Sequence, residues 1–432
     1  MKPFIAILAL SLSSMPVLAE PLQLSLEAAL ELAVAHSPVI TDQGTAVAKA
    51  LRNKENAWNL FLPGITAELI GSYKDTMFYP PQIDRGVAPF STSLKMDVKL
   101  SLDTKILFDL QKRKDDFAIA LLLAQEAQRK FVMGVEKDYF SLVASSMDVG
   151  NAIRTLGLDE EQYRQTKIKF DSGLESELSL LNAELKLQGT RTAATSSKAA
   201  YERKSIAFRR LLGLDPQTSF TLTTPLVIAE LDTGVIEGLM DAIGTRLDLE
   251  IKRKAIEAST VAIDRYHALN RMPLISIGSS LVYSLSDFSV PLDGFSISAG
   301  ISFGVDAWIR GSQKDLAYRL LMDEREQQVV EYDRMLGAAK EKIEDLTMDL
   351  ALKINDLRLT EAKLLLADRI RSQTRIAYDR GTVTLYALDD AQSKVEVQRQ
   401  ALVSTQLAYL QLIIDIGYAL GVDWRSLIGT PG

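Results

Sequence analysis

Two stretches of the chain repeat apolar residues every seven positions over lengths that ordinary globular helices do not reach. The series are Met322, Val329, Leu336, Ile343, Leu350, Leu357 and Leu364 in the second half, and Val135, Leu142, Val149, Leu156, Tyr163 and Phe170 in the first. Sustained heptads are typical of coiled-coil contacts between long helices. The segment from Ser312 to Asp379 contains no proline. At about 1.5 Å per residue it predicts a helical rod on the order of 100 Å.

Four shorter segments alternate apolar and polar residues. The clearest runs from Leu94 to Asp103, and the apolar positions of the others are Phe295, Ile297, Ala299, Ile301, Phe303 and Val305; Ile275, Ile277, Leu281 and Tyr283; and Ile65, Ala67 and Leu69. A period of two predicts strands with one apolar and one polar face. A half-buried soluble sheet and a membrane sheet both have this pattern.

One short phrase occurs twice, 208 positions apart, as FDSGLESELSLLNAE (Phe170–Glu184) and YDRGTVTLYALDDAQ (Tyr378–Gln392). Gly173 and Gly381 fall where each long helical pattern stops, and glycine there supplies the left-handed conformation of a helix cap. We therefore predict two copies of one structural unit, each with a helical hairpin that turns at its glycine.

The predicted organisation is a signal peptide at 1–19, two repeats, a linker or equatorial segment at 216–234 and a C-terminal tail at 424–432. The first repeat, 20–215, has a helix, a β-hairpin at 64–108 and a long helical hairpin at 111–213. The second, 235–423, has a helix, a β-hairpin at 274–306 and a long helical hairpin at 312–421.

The N-terminus indicates export. Lys2 precedes a short apolar run up to Val17, and Ala19 fits the small-residue rule for signal-peptide cleavage. No later stretch of 18 apolar residues predicts a membrane-spanning helix. A spanning sheet has to close, and four strands are too few, so a membrane sheet would require several copies of the chain.

Composition removes several classes of function. The net charge is −7 without a basic block, so nucleic acid is not an expected partner. No cysteine and two histidines, His36 and His267, leave little material for thiol or metal chemistry. No cofactor is expected. The sequence Gly300-Ile301-Ser302-Phe303-Gly304 matches the hydrolase G-x-S-x-G motif. It falls in the middle of an alternating segment, and both histidines precede it, so we expect no enzyme.

The chain resembles TolC-type outer-membrane efflux proteins along almost all of its mature length. The resemblance rests on Leu24–Leu30 followed by Ser37-Pro38, on Leu107-Phe108-Asp109 with a looser copy at Asp306-Ala307-Trp308, on the two glycine phrases and on the Leu-Leu-Gly-Leu-Asp ending at Asp215. It is carried by the order, spacing and duplication of these motifs together.

The resemblance implies a fold and a function. The fold is mainly α with a small β part, in which three chains form a twelve-stranded barrel and a periplasmic tunnel of twelve helices. The function is a passive conduit of a tripartite efflux or type I secretion system, located in the outer membrane with a large periplasmic part. The implied partners are two further copies of the chain, outer-membrane lipid, a periplasmic adaptor protein and, indirectly, an inner-membrane pump.

The resemblance also implies roles for individual residues. The periplasmic aperture is assigned to Tyr378, Asp389, Asp390 and Glu177, and adaptor docking to Phe170, Asp171, Gly173, Asp379 and Gly381. Three positions depart from the family's pattern, namely Ser179, Val383 and Ala387. The two aspartates also fit a solvated helix start, which favours acids. A soluble periplasmic coiled-coil scaffold remains the alternative function, although it does not explain the strands.

Overall fold

The structure, a computed structural model, describes residues 22–73, 90–102, 105–226, 231, 243–244, 246–284 and 294–428. The expected signal peptide, the loops 74–89 and 285–293 and part of the expected linker lie outside these ranges. The boundaries of the two sequence repeats stay predictions.

The described chain is mainly helical with a small part of sheet, as the sequence predicts. The helices are α1 (Leu26–His36), α2 (Pro38–Glu55), α3 (Lys105–Asp171), α4 (Glu177–Leu211), α5 (Leu247–Arg271), α6 (Gln313–Asp379), α7 (Leu385–Leu420) and α8 (Trp424–Leu427). The strands are β1 (Leu22–Leu24), β2 (Gly64–Tyr73), β3 (Phe90–Leu102), β4 (Phe220–Leu222), β5 (Leu274–Ser284) and β6 (Gly294–Ser302). Helices α3 and α6 have 67 residues each, which fits a duplicated unit.

The chain divides into two compact units. The first comprises Met1–Ser37, Val132–Glu230 and Leu350–Ile414, and the second comprises Pro38–Phe131, Leu231–Asp349 and Asp415–Gly432. None of the described helices is long and apolar enough to cross a membrane.

In the first unit the heptad positions form the core. In this unit the buried members of the two heptad series are Val135, Leu142, Leu350 and Leu357, and Leu187, Leu388, Val395 and Tyr409 of α4 and α7 are buried as well. Tyr139 is also fully buried; its hydroxyl donates to the Leu24 carbonyl at 2.9 Å and accepts from the Thr224 amide at 3.0 Å. These bonds hold the two short strands β1 and β4, which pair in parallel. Ser25 caps α1 by accepting from the Ala28 amide at 3.1 Å.

The second unit contains an antiparallel sheet in the order β2-β3-β5-β6. Its register brings the apolar positions of all four strands to one face, through the pairs Ile65–Val98, Ala67–Met96, Leu69–Leu94, Met96–Leu281, Leu100–Ile277, Ile275–Ile301 and Leu281–Phe295. Ser279 is a polar member of this face, opposite Val98 and Ile297. The other face carries Glu68, Lys95, Asp97 and a series of serines. The apolar face is open in a single chain, where Ile297 and Ile301 are each 71% exposed.

The ends of the strands differ from the sequence expectation. Strand β3 ends at Leu102 and α3 begins at Lys105, inside the range 64–108 expected for the hairpin. At the start of α3 the Asp109 carboxylate accepts from Arg265 of α5 at 2.6 Å, a contact with a distant part of the chain that a strand pattern does not reveal. Likewise β6 ends at Ser302, and residues Val305–Trp308 form a 3-10 turn.

Candidate functional site

The candidate site lies in the first unit, at the two turns that join α3 to α4 and α6 to α7. Gly173 and Gly381 adopt φ of 72° and 73°. Each glycine amide bonds the carbonyl three residues back, that of Phe170 at 2.8 Å and that of Tyr378 at 2.9 Å. The next amide in each turn bonds the carbonyl five residues back, at 2.8 and 2.9 Å. This is the Schellman cap that the repeated phrase predicts.

Tyr378 lies one turn before the second glycine and contacts the first turn. Its hydroxyl accepts from the Lys169 ammonium at 3.1 Å and donates to the Glu175 carboxylate at 3.1 Å, and the same ammonium lies 4.3 Å from the ring centroid. Burial raises the pKa of the Tyr378 hydroxyl above its usual value, although Lys169 lowers it. The hydroxyl therefore stays protonated at neutral pH and can donate to Glu175. The contact ties the end of α6 to the α3–α4 turn.

The two adjacent aspartates of α7 have different surroundings. The Asp389 carboxylate accepts from Lys186 of α4 at 3.0 Å and from Gln162 of α3, and its side chain is 21% exposed. The Asp390 carboxylate pairs with Lys394 of the same helix at 2.6 Å, and its side chain is 48% exposed. Asp389 therefore faces the α3–α4 hairpin, whereas Asp390 faces away from those two contacts and is open to solvent.

The remaining predicted site residues lie at the helix ends. Glu177 is the exposed first residue of α4, directly after Ser176, which caps this helix by accepting from the Ser179 amide at 3.2 Å. Phe170 is half-buried, and Asp171 and Asp379 are the exposed last residues of α3 and α6. Each glycine turn thus carries one exposed aspartate and one helix cap. Glu177 does not take part in the Tyr378 contact.

Sequence reasoning missed the partners of these residues. Lys169, Glu175, Gln162 and Lys186 all belong to the first half of the chain, about 200 positions from the residues that they contact. The heptad pattern predicts only which residues lie in the core. It therefore gives no signal for a polar contact at the edge of that core.

A second candidate surface is the apolar face of the sheet in the second unit. Large exposed side chains also flank the strands along the chain: Trp58 (59%), Phe61 (49%), Leu107 (68%) and Trp308 (67%). The guanidinium of Arg271 lies 5.4 Å from the Trp308 ring centroid. Exposed apolar surface of this extent marks a contact with lipid or with another protein.

The described residues assemble no enzyme-like centre at the G-x-S-x-G motif. Gly300 and Ser302 lie in β6, the Ser302 side chain is exposed, and His36 and His267 lie in α1 and α5. Nδ1 of His36 donates to the Leu32 carbonyl of its own helix at 2.9 Å. Among the described residues no three His, Asp or Glu side chains form a group that could hold a metal ion.

The fold is similar to that of several solved outer-membrane channels. The CmeC outer membrane channel of Campylobacter jejuni superimposes with a TM-score of 0.77 at 16% identity, over 93% of this chain and 88% of that one. The outer membrane protein VceC of Vibrio cholerae gives 0.73 at 17% identity, over 92% and 96%. The open state of the MtrE outer membrane channel of Neisseria gonorrhoeae gives 0.73 at 15% identity, over 92% and 89%.

The sequence itself matches no family model and no curated protein. The resemblance to TolC-type channels that the sequence suggests is confirmed by these solved structures, as a resemblance of fold. At these identities the match establishes architecture, and function has to be argued from the chain's own residues.

Proposed function

We propose that this protein is the outer-membrane channel component of an efflux or type I secretion system, a passive trimeric conduit from periplasm to exterior. The observation that carries this proposal is the fold match to outer-membrane channels over more than nine-tenths of the chain. A conduit needs no chemical step, so its residues act by lining, sealing and docking.

The sheet supports a membrane location. Its register gives one apolar and one polar face, which is the arrangement of a barrel wall between lipid and a water-filled lumen. A sheet cannot expose an edge with unpaired backbone N–H and C=O groups to lipid, and four strands do not close a barrel. Three copies would supply twelve strands. The exposed Trp58 and Trp308 near the strand ends suit the interface between hydrocarbon and headgroups, where tryptophan is enriched.

The helices support assembly of several copies. In the single chain, leucines and methionines at helical spacing stay exposed on α4 and α6; they are Leu178, Leu181 and Leu185, and Met348, Leu352 and Leu359. Stripes of this kind at intervals of three, four and seven residues fit further helices packed alongside. A trimer would bury them and leave the polar helix faces toward the tunnel and the periplasm.

The glycine turns are the parts that would meet the other components. In this proposal Phe170, Asp171, Gly173, Asp379 and Gly381 form the surface that docks a periplasmic adaptor, which in turn links the channel to an inner-membrane pump. Tyr378, Asp390 and Glu177 surround the aperture. Asp389, the fourth residue assigned to it from the sequence, accepts from Lys186 and Gln162 and faces the α3–α4 hairpin instead. Three copies of an exposed acid around one axis attract cations and disfavour anions.

Membrane fractionation and planar-bilayer recording test the proposal. The protein, produced with its native N-terminus, should appear in the outer-membrane fraction and need detergent for solubilisation. Crosslinking of the purified material should give a trimer, and bilayers should show discrete ion-conducting steps. A protein that stays soluble without detergent and forms no channels would instead be a periplasmic scaffold.

A further inference from the structure

One guanidinium in the second unit lies against two aromatic rings. Arg271 is the last residue of α5, and β5 begins at Leu274. Its guanidinium carbon lies 5.4 Å from the Trp308 ring centroid and 5.3 Å from the Tyr318 ring centroid. At these distances the faces of both rings attract the cation. The rings therefore hold the guanidinium in place without using its N–H donors.

The N–H donors of Arg271 have no acceptor within the described part of the chain. Neither a hydrogen bond nor an ion pair joins its guanidinium to a described residue, and its side chain is only half-buried. The neighbouring acids pair with other cations, Asp306 with Lys314 at 2.7 Å and Asp315 with Arg319 at 3.1 Å. A guanidinium carries five donors in a planar fork that matches the oxygens of a phosphate.

The fork lies at the end of the sheet to which α5 is joined. Leu274, the first residue of β5, pairs with Ser302, the last residue of β6. An added Cβ at Gly304 would lie 3.3 Å from the Asn270 carbonyl, so the chain that leaves β6 runs against the last turn of α5. The segments before β5 and after β6 therefore meet at this end, and Arg271 belongs to the first of them.

Exposed apolar side chains flank Arg271 on both of these segments. They are Met272, Phe303, Val305, Trp308 and Ile309. We call Arg271 and these five residues the Arg271 rim. The apolar face of the sheet begins beside the rim with the exposed pair Ile275 and Ile301. A cation among exposed apolar and aromatic side chains, at the edge of an apolar sheet face, suits the boundary between the hydrocarbon and the headgroups of a membrane.

The equivalent position in the first half of the chain lacks the fork. Leu62-Pro63 before β2 corresponds to Met272-Pro273 before β5, at an offset of 210, and the same offset places Phe61 opposite Arg271. Phe61 is exposed and carries no charge. The duplication therefore provides an apolar side chain in one copy and a phosphate-binding cation in the other, which gives one such fork per chain.

We propose that the Arg271 rim binds the phosphate of a membrane glycerophospholipid. The guanidinium donates to the phosphate oxygens, and Trp308 with its apolar neighbours contacts the glycerol and acyl region. This inference rests on the proposed function, because it requires the sheet to lie in a membrane. A lipid fits better than a free phosphate ion, since only a lipid also covers the exposed apolar side chains of the rim. The bound lipid would fix the depth of this end of the sheet in the bilayer.

The test uses the full-length protein in dodecyl maltoside, a detergent without phosphate. Phosphatidylglycerol is the probe, and native mass spectrometry counts the lipids that each chain retains. Arg271→Gln removes the charge and the fork, and Arg271→Lys keeps the charge alone. Arg310→Gln is the matched control, because Arg310 is an exposed arginine two positions after Trp308.

The native protein should retain one phosphatidylglycerol per chain. Arg271→Gln should weaken the apparent affinity about tenfold or more, because hydrogen bonds to charged groups contribute enough for that factor. Arg271→Lys should lie between the two, since an ammonium does not reproduce the fork, and Arg310→Gln should bind like the native protein. Native affinity in Arg271→Gln, or equal losses in Arg271→Gln and Arg310→Gln, would overturn the site.

A further variant covers the case in which Arg271→Gln does not fold. Trp308→Leu keeps the guanidinium and an apolar side chain but removes the ring that holds the guanidinium. It should weaken retention several-fold, and the Tm of each variant without lipid shows whether it folds. Native retention in a folded Trp308→Leu variant would contradict the proposed part of the ring.

Two additional probes distinguish a lipid from its parts. Inorganic phosphate in excess should not displace the lipid, and a diacylglycerol with the same acyl chains should not be retained, because it has no phosphate. Displacement by inorganic phosphate would make the rim a site for free anions. Equal retention of diacylglycerol would make it an apolar surface, and retention of neither lipid would leave it to a protein contact; each of these results overturns the proposal.

The lipid count is independent of channel activity. If the native protein forms no channel in planar bilayers, the proposed function fails, while the count in detergent still decides whether the rim binds lipid. A channel whose Arg271→Gln variant retains lipid like the native protein would instead keep the proposed function and overturn the site.

Discussion

Met96 of β3 and Leu281 of β5 are paired across the sheet and share its apolar face. Their chain neighbours Asp97 and Ser280 are paired on the opposite face, where polar residues prevail. A single residue step therefore moves a side chain from one environment to the other.

This arrangement predicts opposite outcomes for one substitution at adjacent positions. Leu281→Arg should cost about 2–4 kcal/mol if the site lies at mid-membrane, and it should lower the amount of trimer in outer-membrane fractions. Ser280→Arg places the same cation on the polar face beside Asp97 and should be tolerated. Equal losses in both variants would mean that the alternation does not mark lipid.

The glycine caps predict a second pair of opposite effects. Gly381→Ala should destabilise the protein by about 1–2 kcal/mol, because a side chain is strained in the left-handed region; Gly173→Ala should behave alike. Gly337 lies inside α6 with nothing within 4 Å of an added Cβ, so Gly337→Ala should stabilise by about 0.5–1 kcal/mol. Thermal unfolding in detergent measures all three. A stability gain in Gly381→Ala would contradict the cap.

The exposed Asp390 predicts an electrostatic effect on conduction. Asp390→Ala should lower the cation preference of single channels at low salt, since three charges leave the aperture, and the shift should shrink at 1 M salt, where the Debye length is about 3 Å. Reversal potentials in a salt gradient measure it. Unchanged selectivity at low salt would mean that Asp390 does not line the aperture and is only an acid near the start of α7 that pairs with Lys394.

Asp148 predicts a pH-dependent stability change. Burial raises the pKa of its carboxyl above the ordinary value of 3.8, and Lys204 offsets part of that. A raised pKa means that the charged form is disfavoured in the folded state, so stability is lost as pH rises. Asp148→Asn should therefore raise the Tm at pH 7, with the gain falling toward zero near pH 4.

Glu161 provides the control of opposite sign. Arg164 bonds its carboxylate at 2.6 Å and lowers its pKa. Glu161→Gln should lower the Tm slightly at pH 7 and lose this effect as pH falls. The effect should be small because the pair is exposed. A gain for Glu161→Gln at pH 7 would show that these pKa shifts do not govern stability.

Much of the architecture was readable from local patterns. Heptads placed Leu142 and Leu350 in the core, alternation placed the strands, and the repeated phrase placed both caps. Each of these features depends on residues within one element, where the helical or strand period decides which side chains share a face. The contact between Asp109 at the start of α3 and Arg265 of α5 was not readable from local patterns, since 156 positions separate the two residues.

The elements, their duplication and the turns that join them could all be read from the amino-acid sequence, because they follow from residue periodicity and from glycine's conformational freedom. Which polar side chains meet depends on how the helices pack in three dimensions. Lys186 and Lys394 hold the same place in the repeat, yet one bridges two helices and the other pairs within its own. That difference arises from the rotation and stagger of packed helices, which bring Asp159 and Asp389 to one ammonium although 230 positions separate them along the chain.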